Sequence, residues 1–286
     1  MPPAVRAWRE RGRTIDVDGN DIFVLEQGSG PHTVFVLHGF QMSSFEWRDV
    51  VARLAARVRV VAFDFLGFGL SDKPVAARYS LFEQADLAER VAAALGVEHC
   101  TVVGHDMGDT VLAELLMRQA ELRLTFRIER AVLTPGAIFI DIVRLRAGQK
   151  LLLLLPDRRL PFSIPRVLFR RGLRALFSKD HQPSAETLEG MIWLIRREGG
   201  DRLLPRQMRY LDERRRHQGR WTAGLVEFAG PMTAFWGEQD PNAVVGMAHR
   251  LKQLRPDTEV IAWPDVSHWL PTEVPDRLAD EILRRL

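Results

Sequence analysis

The chain has 286 residues, 46% of them hydrophobic and 27% charged, with a net charge of +3 and one cysteine. That balance excludes a disordered or low-complexity chain, and the length suffices for one large core, alone or carrying an insertion. The lone Cys100 excludes an internal disulfide framework and a cysteine-built zinc site, and no run approaches the ~20 uncharged apolar residues that a bilayer span needs.

The first residues, Met1 to Arg6, lack the apolar stretch of a leader, so a cytoplasmic location is expected. Arg13–Val17 and Asp21–Gln27, around Asp18-Gly19-Asn20, read as an antiparallel hairpin. Buried strands are then expected at Thr33–Leu37, Val58–Phe63, His99–Val103, Ala131–Thr134, Met232–Trp236 and Glu259–Ala262. Helical spacing marks Trp47–Ala56, Phe82–Leu95, Thr110–Gln119, Val244–Leu254 and Pro275–Leu286. Continuous apolar strands alternating with helices predict an α/β fold, with a mostly parallel eight-stranded sheet covered on both faces.

From Ile138 to Thr222 the alternation stops, and the chain becomes helical, arginine-rich and broken by Pro156, Pro161, Pro165, Pro183 and Pro205. Residues 141–220 hold 17 Arg and two Lys against nine acids, an excess of +10 that leaves the rest of the chain near −7. One evenly charged domain would not segregate in this way. The expected organisation is a core of residues 1–137 and 223–286, with 138–222 as a helical lid inserted after the sixth strand. There it would cover the carboxyl ends of the strands, where open α/β sheets bind ligands.

The strand from His99 runs through Gly104-His105-Asp106-Met107-Gly108 into a helix. Small residues two places either side of a central residue, on a strand-to-helix turn, form a nucleophile elbow, here with Asp106 where serine is usual. Asp240 and His268 follow later strands, giving the chain order nucleophile, acid, histidine. His38-Gly39-Phe40 ends the first parallel strand, where the backbone N–H groups of Phe40 and Met107 would form an oxyanion hole.

These segments, with Asp64-Phe65-Leu66-Gly67-Phe68-Gly69-Leu70-Ser71-Asp72-Lys73-Pro74, resemble the α/β-hydrolase superfamily. Within it they resemble the epoxide hydrolase and haloalkane dehalogenase branch, and there the mesoderm-specific transcript-like proteins. Gln41 departs from the family pattern, which usually has proline there. The resemblance implies a cofactor-independent hydrolase in which Asp106 forms a covalent alkyl ester. His268 would then activate the hydrolytic water, oriented by Asp240.

A halide leaving group needs N–H donors, yet Met107 and Phe40 stand where dehalogenases usually carry Trp and Asn. An epoxide needs a proton donor, and Tyr210 lies where the second lid tyrosine of epoxide hydrolases falls; the first has no counterpart. Epoxide opening to a diol is therefore the favoured expectation. A haloalkane dehalogenase, a lactone or ester hydrolase, and a catalytically weak ligand-binding protein are its alternatives. His38, Trp193, Trp221 and Trp269 are expected to line a pocket for a small lipophilic substrate. The remaining histidines show no ligand spacing, so no metal is assigned. The basic lid, with Lys150-Leu151-Leu152-Leu153-Leu154-Leu155 and Arg166-Val167-Leu168-Phe169-Arg170-Arg171, could rest on anionic lipid. Nucleic acid is discounted, since no binding motif accompanies the arginines, and the oligomeric state is left open.

Overall fold

Thr33–Leu37 is apolar without alternation, and a strand of that kind persists only where both faces are covered. In the computed structural model, which describes all 286 residues, every residue of this strand is buried. The strands are β1 (Arg13–Val17), β2 (Asn20–Gln27), β3 (Thr33–Leu37), β4 (Arg59–Phe63), β5 (His99–His105), β6 (Arg127–Thr134), β7 (Met232–Gly237) and β8 (Glu259–Trp263). They form one eight-stranded sheet in the order β1-β2-β4-β3-β5-β6-β7-β8. β2 pairs antiparallel with β1 and β4, and every other pairing is parallel. The mostly parallel eight-stranded α/β sheet is thus as expected.

The helices are α1 (Pro3–Glu10), α2 (Arg48–Leu54), α3 (Leu81–Ala94) and α4 (Met107–Ala120). Between β6 and β7 come α5 (Ala147–Leu154), α6 (Arg166–Arg174), α7 (Ala185–Arg196), α8 (Leu204–Gln207) and α9 (Tyr210–Glu227). α10 (Gly246–Leu254), α11 (Leu270–Glu273) and α12 (Pro275–Leu283) complete the chain. α3 starts where Ser80 and Glu83 form a reciprocal capping box.

Several elements differ from expectation: α4 begins three residues early, at Met107, the short α11 was not expected, and β6 and α1 differ most. β6 begins four residues early, at Arg127, because Arg127-Ile128-Glu129-Arg130 mixes charge into the strand. That stretch pairs with β5 alone, and β7 joins only from Ala131. α1 was not expected; Pro3 opens it at a position where its missing N–H costs nothing, and Val5 and Trp8 share its buried face. The Trp8 indole N–H donates to Ser44 Oγ at 3.3 Å.

Many of the arginines between β6 and β7 tie that segment to the sheet domain. Arg220 and the Trp221 indole converge on Glu114 of α4, which is also held by Arg118. Burial raises the pKa of Glu114, but the bonds from Arg220, Arg118 and Trp221 outweigh it and hold the carboxylate below its usual range. Arg197 donates to Leu70 O at 3.0 Å, and Arg206 reaches Val75 O.

Candidate active site

β5 delivers Asp106 into a turn at φ 49°, ψ −104°, and α4 begins at the next residue. A non-glycine residue there stores about 1–3 kcal/mol of backbone strain. Close packing holds the turn: a methyl group at Gly108 would collide with the Leu37 carbonyl, and one at Gly104 would lie 2.6 Å from Asp109 Oδ1. The Asp106 N–H donates to Pro135 O at 3.2 Å.

Phe40 N–H donates to Asp106 Oδ2 at 3.0 Å, so one carboxylate oxygen already sits in the expected hole. Met107 stands at the first position of α4, beside that carboxylate at the positive end of the helix dipole. Two buried groups shape the Phe40 loop. Glu46 accepts from Gly39 N–H at 2.9 Å and from the Trp47 indole at 3.2 Å, and pairs with His105 Nδ1 at 3.0 Å. Burial raises the Glu46 pKa, but His105 prevails and keeps the carboxylate below its ordinary range. His38 accepts from Phe65 N–H through Nε2 at 2.9 Å and donates through Nδ1 to Gly39 O at 2.8 Å. Its pKa is lowered, mainly by burial, which matches that neutral tautomer.

Gln41 takes φ +54°, a value closed to the proline ring. Its departure from the family pattern is therefore also a departure of the backbone next to Phe40. Gln41→Pro should destabilise the protein by more than about 1 kcal/mol; an unchanged urea midpoint would contradict this left-handed turn.

His268 and Asp240 meet past β8 and β7, with Nδ1 to Oδ2 at 2.6 Å. The other Asp240 oxygen accepts from the N–H groups of Asn242 (2.7 Å) and Ala243 (2.9 Å). Burial disfavours the charged ring, yet the charge and hydrogen bond of Asp240, with Asp106 and Glu46 behind, outweigh it and lift the His268 pKa to about 9.

Asp106, His268, Phe40, Tyr210 and Trp269 line one cavity of about 30 Å³, roofed by Val143, Leu145 and Gln149. That is space for about two waters. The Tyr210 ring lies 5.2 Å from that of Phe40, with the Arg214 guanidinium 5.2 Å from its centroid. Burial and the Asp106 charge raise the phenol's pKa against the pull of Arg214, so Tyr210 stays a neutral O–H donor. Tyr79, the second tyrosine, donates to Pro74 O at 2.7 Å and is not part of the cavity. Trp269 takes the place expected for it, and its buried indole N–H has no acceptor.

Three expected pocket residues lie elsewhere. His38 sits behind the wall, with both ring nitrogens committed to backbone. Trp221 gives its N–H to Glu114 at 3.0 Å, so it is not free to hold a leaving group. Trp193 occupies the half-buried edge of α7, whose inward face is built by Leu188, Met191, Ile192 and Ile195.

The sequence reading missed Arg214 and Asp109. Arg214 is 1% exposed and donates to Thr110 Oγ1 at 2.6 Å and to the Asp106 carbonyl at 2.9 Å. Its Nη1 and both oxygens of the fully buried Asp109 have no partner. These groups border one chamber of about 10 Å³, about the size of a single water. Burial, reinforced by the Asp106 charge, pushes the Asp109 pKa well above the carboxylate range, against the pull of Arg214. The available signal was spacing: in Arg214-Arg215-Arg216 only the first lies one turn after Tyr210, on the same face.

A model described as the alpha/beta hydrolase family matches residues 34–281. LipZ of Mycobacterium tuberculosis, which carries the name of a hydrolase, is 37% identical over 99% of this chain and 98% of its own. The mesoderm-specific transcript protein of Mus musculus is 34% identical over 84% of this chain and 75% of its own, so the likeness to LipZ is the greater. The crystal structure of Cfl2 from Burkholderia cenocepacia superposes with a TM-score of 0.81 at 21% identity, covering 96% of this chain and 95% of that one.

Proposed function

From the chain's membership of the α/β hydrolase family, we propose that this hydrolase opens a small lipophilic epoxide to a diol through an ester of Asp106. The observation that carries the reading is a carboxylate, not a hydroxyl, at the elbow. One of its oxygens is bound by Phe40 N–H, and the Tyr210 phenol lines the same cavity. A carboxylate can displace oxygen at an sp³ carbon, which serine chemistry at a carbonyl does not address.

Asp106 Oδ1, the oxygen not held by Phe40, attacks the epoxide carbon, and the C–O bond that breaks leaves an alkoxide that takes the Tyr210 proton. His268 enters this cycle charged, because its pKa is about 9. It returns a proton to the Tyr210 phenolate and becomes the neutral base that the second step requires. Water then attacks Cγ of Asp106, giving one proton to His268. Oδ2 becomes the oxyanion at Phe40 N–H, with Met107 N–H as the proposed second donor. Collapse expels the diol oxygen, which takes the remaining water proton and restores the Asp106 carboxylate. The helices α5–α9 act as the lid that keeps bulk water from this sequence.

A second reading, displacement of a halide, is favoured by one observation, the unpartnered Trp269 indole N–H beside the cavity. The His268→Gln variant separates the two, because it halts the cycle at the ester. Intact-mass analysis after incubation with an epoxide panel should show an adduct on Asp106. An adduct from haloalkanes alone would transfer the assignment to the second reading, and none from either class would remove both.

A further inference from the structure

Of the nine exposed large hydrophobic side chains in the protein, five fall within 18 residues of the lid: Leu151, Leu154, Phe162, Val167 and Leu168. Leu154 is 82% exposed and Phe162 65%. α5, which carries the first two, contains no buried residue at all. From α5 the chain crosses a loop to α6, and Arg146 at the start of α5 donates to Ala175 O just past the end of α6 at 2.9 Å. The two helices are thus arms of one hairpin-like excursion, closed at its base.

Charge is as lopsided as hydrophobicity. Residues 144–174 hold eight arginines and one lysine against a single acid, Asp157. Arg166 and Arg170 are paired with Glu189, which comes from α7. Arg144, Lys150, Arg158, Arg171 and Arg174 are exposed and carry no ion pair. Free cations interleaved with protruding Leu, Val and Phe match an anionic lipid surface, where the apolar groups enter the acyl boundary and the cations meet phosphate. No helix is long and apolar enough to cross a membrane, so the contact this surface offers is peripheral.

We infer that the α5–α6 face of the lid docks on anionic phospholipid membranes. The same excursion roofs the cavity through Val143, Leu145 and Gln149, and Gln149 also accepts from Asn242 Nδ2 at 3.1 Å. Docking therefore sets the roof over Asp106 against the bilayer, the phase in which a lipophilic substrate accumulates. The binding itself is independent of the proposed chemistry, and its test needs no substrate.

The full chain should co-sediment with vesicles of phosphatidylcholine containing 30% phosphatidylglycerol at low salt, release as salt rises, and ignore pure phosphatidylcholine. Each lost cation should weaken partition ~5-fold, so Lys150→Gln/Arg158→Gln/Arg171→Gln should weaken it on the order of 100-fold. Leu151→Ser/Leu154→Ser/Phe162→Ser should also release the protein. Both variants change exposed groups, and an unchanged melting temperature confirms that the fold is intact. Failure of wild type to bind anionic vesicles at low salt overturns the inference. So does binding that survives either variant. Equal affinity for an oligonucleotide, unaffected by the serine variant, would assign the surface to nucleic acid. A dimer by light scattering that the serine variant splits would assign it to a second copy.

Discussion

Asp240→Asn should lower turnover by on the order of 10³- to 10⁴-fold while leaving the backbone in place. An asparagine brings no charge, and with its oxygen kept on the Asn242 and Ala243 N–H groups it turns its NH2 toward His268 Nδ1, which must then accept and so holds the ring in the wrong tautomer. The strongest of the effects that raise the His268 pKa is then lost, with only the Asp106 and Glu46 charges left to oppose burial, so His268 should titrate well below 9. In the proposed cycle, a ring that is largely neutral no longer returns a proton to Tyr210, and without Asp240 its imidazolium is less stabilised when it takes one from water. The sign of the stability effect follows from the same shift. A histidine whose folded pKa is raised contributes stability that is present in full below about pH 6.5 and lost as pH rises through about 9. The contribution is about 3 kcal/mol. Lys73, pushed down to about 7 mainly by burial, acts in the opposite direction, but it is common to both proteins and cancels in their difference. The gap in unfolding free energy between wild type and Asp240→Asn should therefore be widest near pH 6 and narrow by pH 10, as read from urea titrations. A gap that does not change with pH would remove the charged His268 from the resting site.

The candidate site groups were legible because each is fixed by local sequence at a strand end. Asp106 stands between Gly104 and Gly108, at the one place where β5 turns into α4, and any chain that folds this sheet must put it there. Asp240 and His268 follow β7 and β8 within a few residues, and neighbouring parallel strands bring them together whatever the loops do. The pocket wall was not legible in the same way. Trp193 and Trp221 belong to helices whose rotation depends on what they pack against, and the sequence does not say which partner wins. For Trp221 the partner is Glu114, a buried carboxylate that needs donors and takes its indole N–H. For Arg214 the obstacle was composition. Three successive arginines read as a solvated face, and only packing distinguishes the one turned inward under Tyr210. Gln41 illustrates the opposite case, in which a single departure from the family pattern flagged an altered backbone that the fold then displayed as a positive φ.

Arg214→Met should cost about 3–5 kcal/mol, the penalty for removing one member of a buried charged set. Methionine fills much of the volume but leaves the Thr110 hydroxyl and the Asp106 carbonyl without their donor, and Asp109 without its cation. Asp109→Asn should cost less, because burial already favours the neutral carboxyl there and the amide keeps its shape. If a single water or direct charge coupling joins Asp109 to Arg214 across that chamber, the double variant should cost less than the two single costs together, by more than about 1 kcal/mol. Urea unfolding of the four proteins measures the cycle, and strict additivity would separate the two residues energetically. Arg214→Lys adds the test of position. It keeps the positive charge but not the fork that grips Thr110 and Asp106 at once, so it should recover part of the stability while Asp106 still alkylates slowly. Full recovery of the alkylation rate by lysine would mean that Arg214 serves the site through charge alone. Slow alkylation in a stable protein would make it the residue that holds Tyr210 and the nucleophile turn in register.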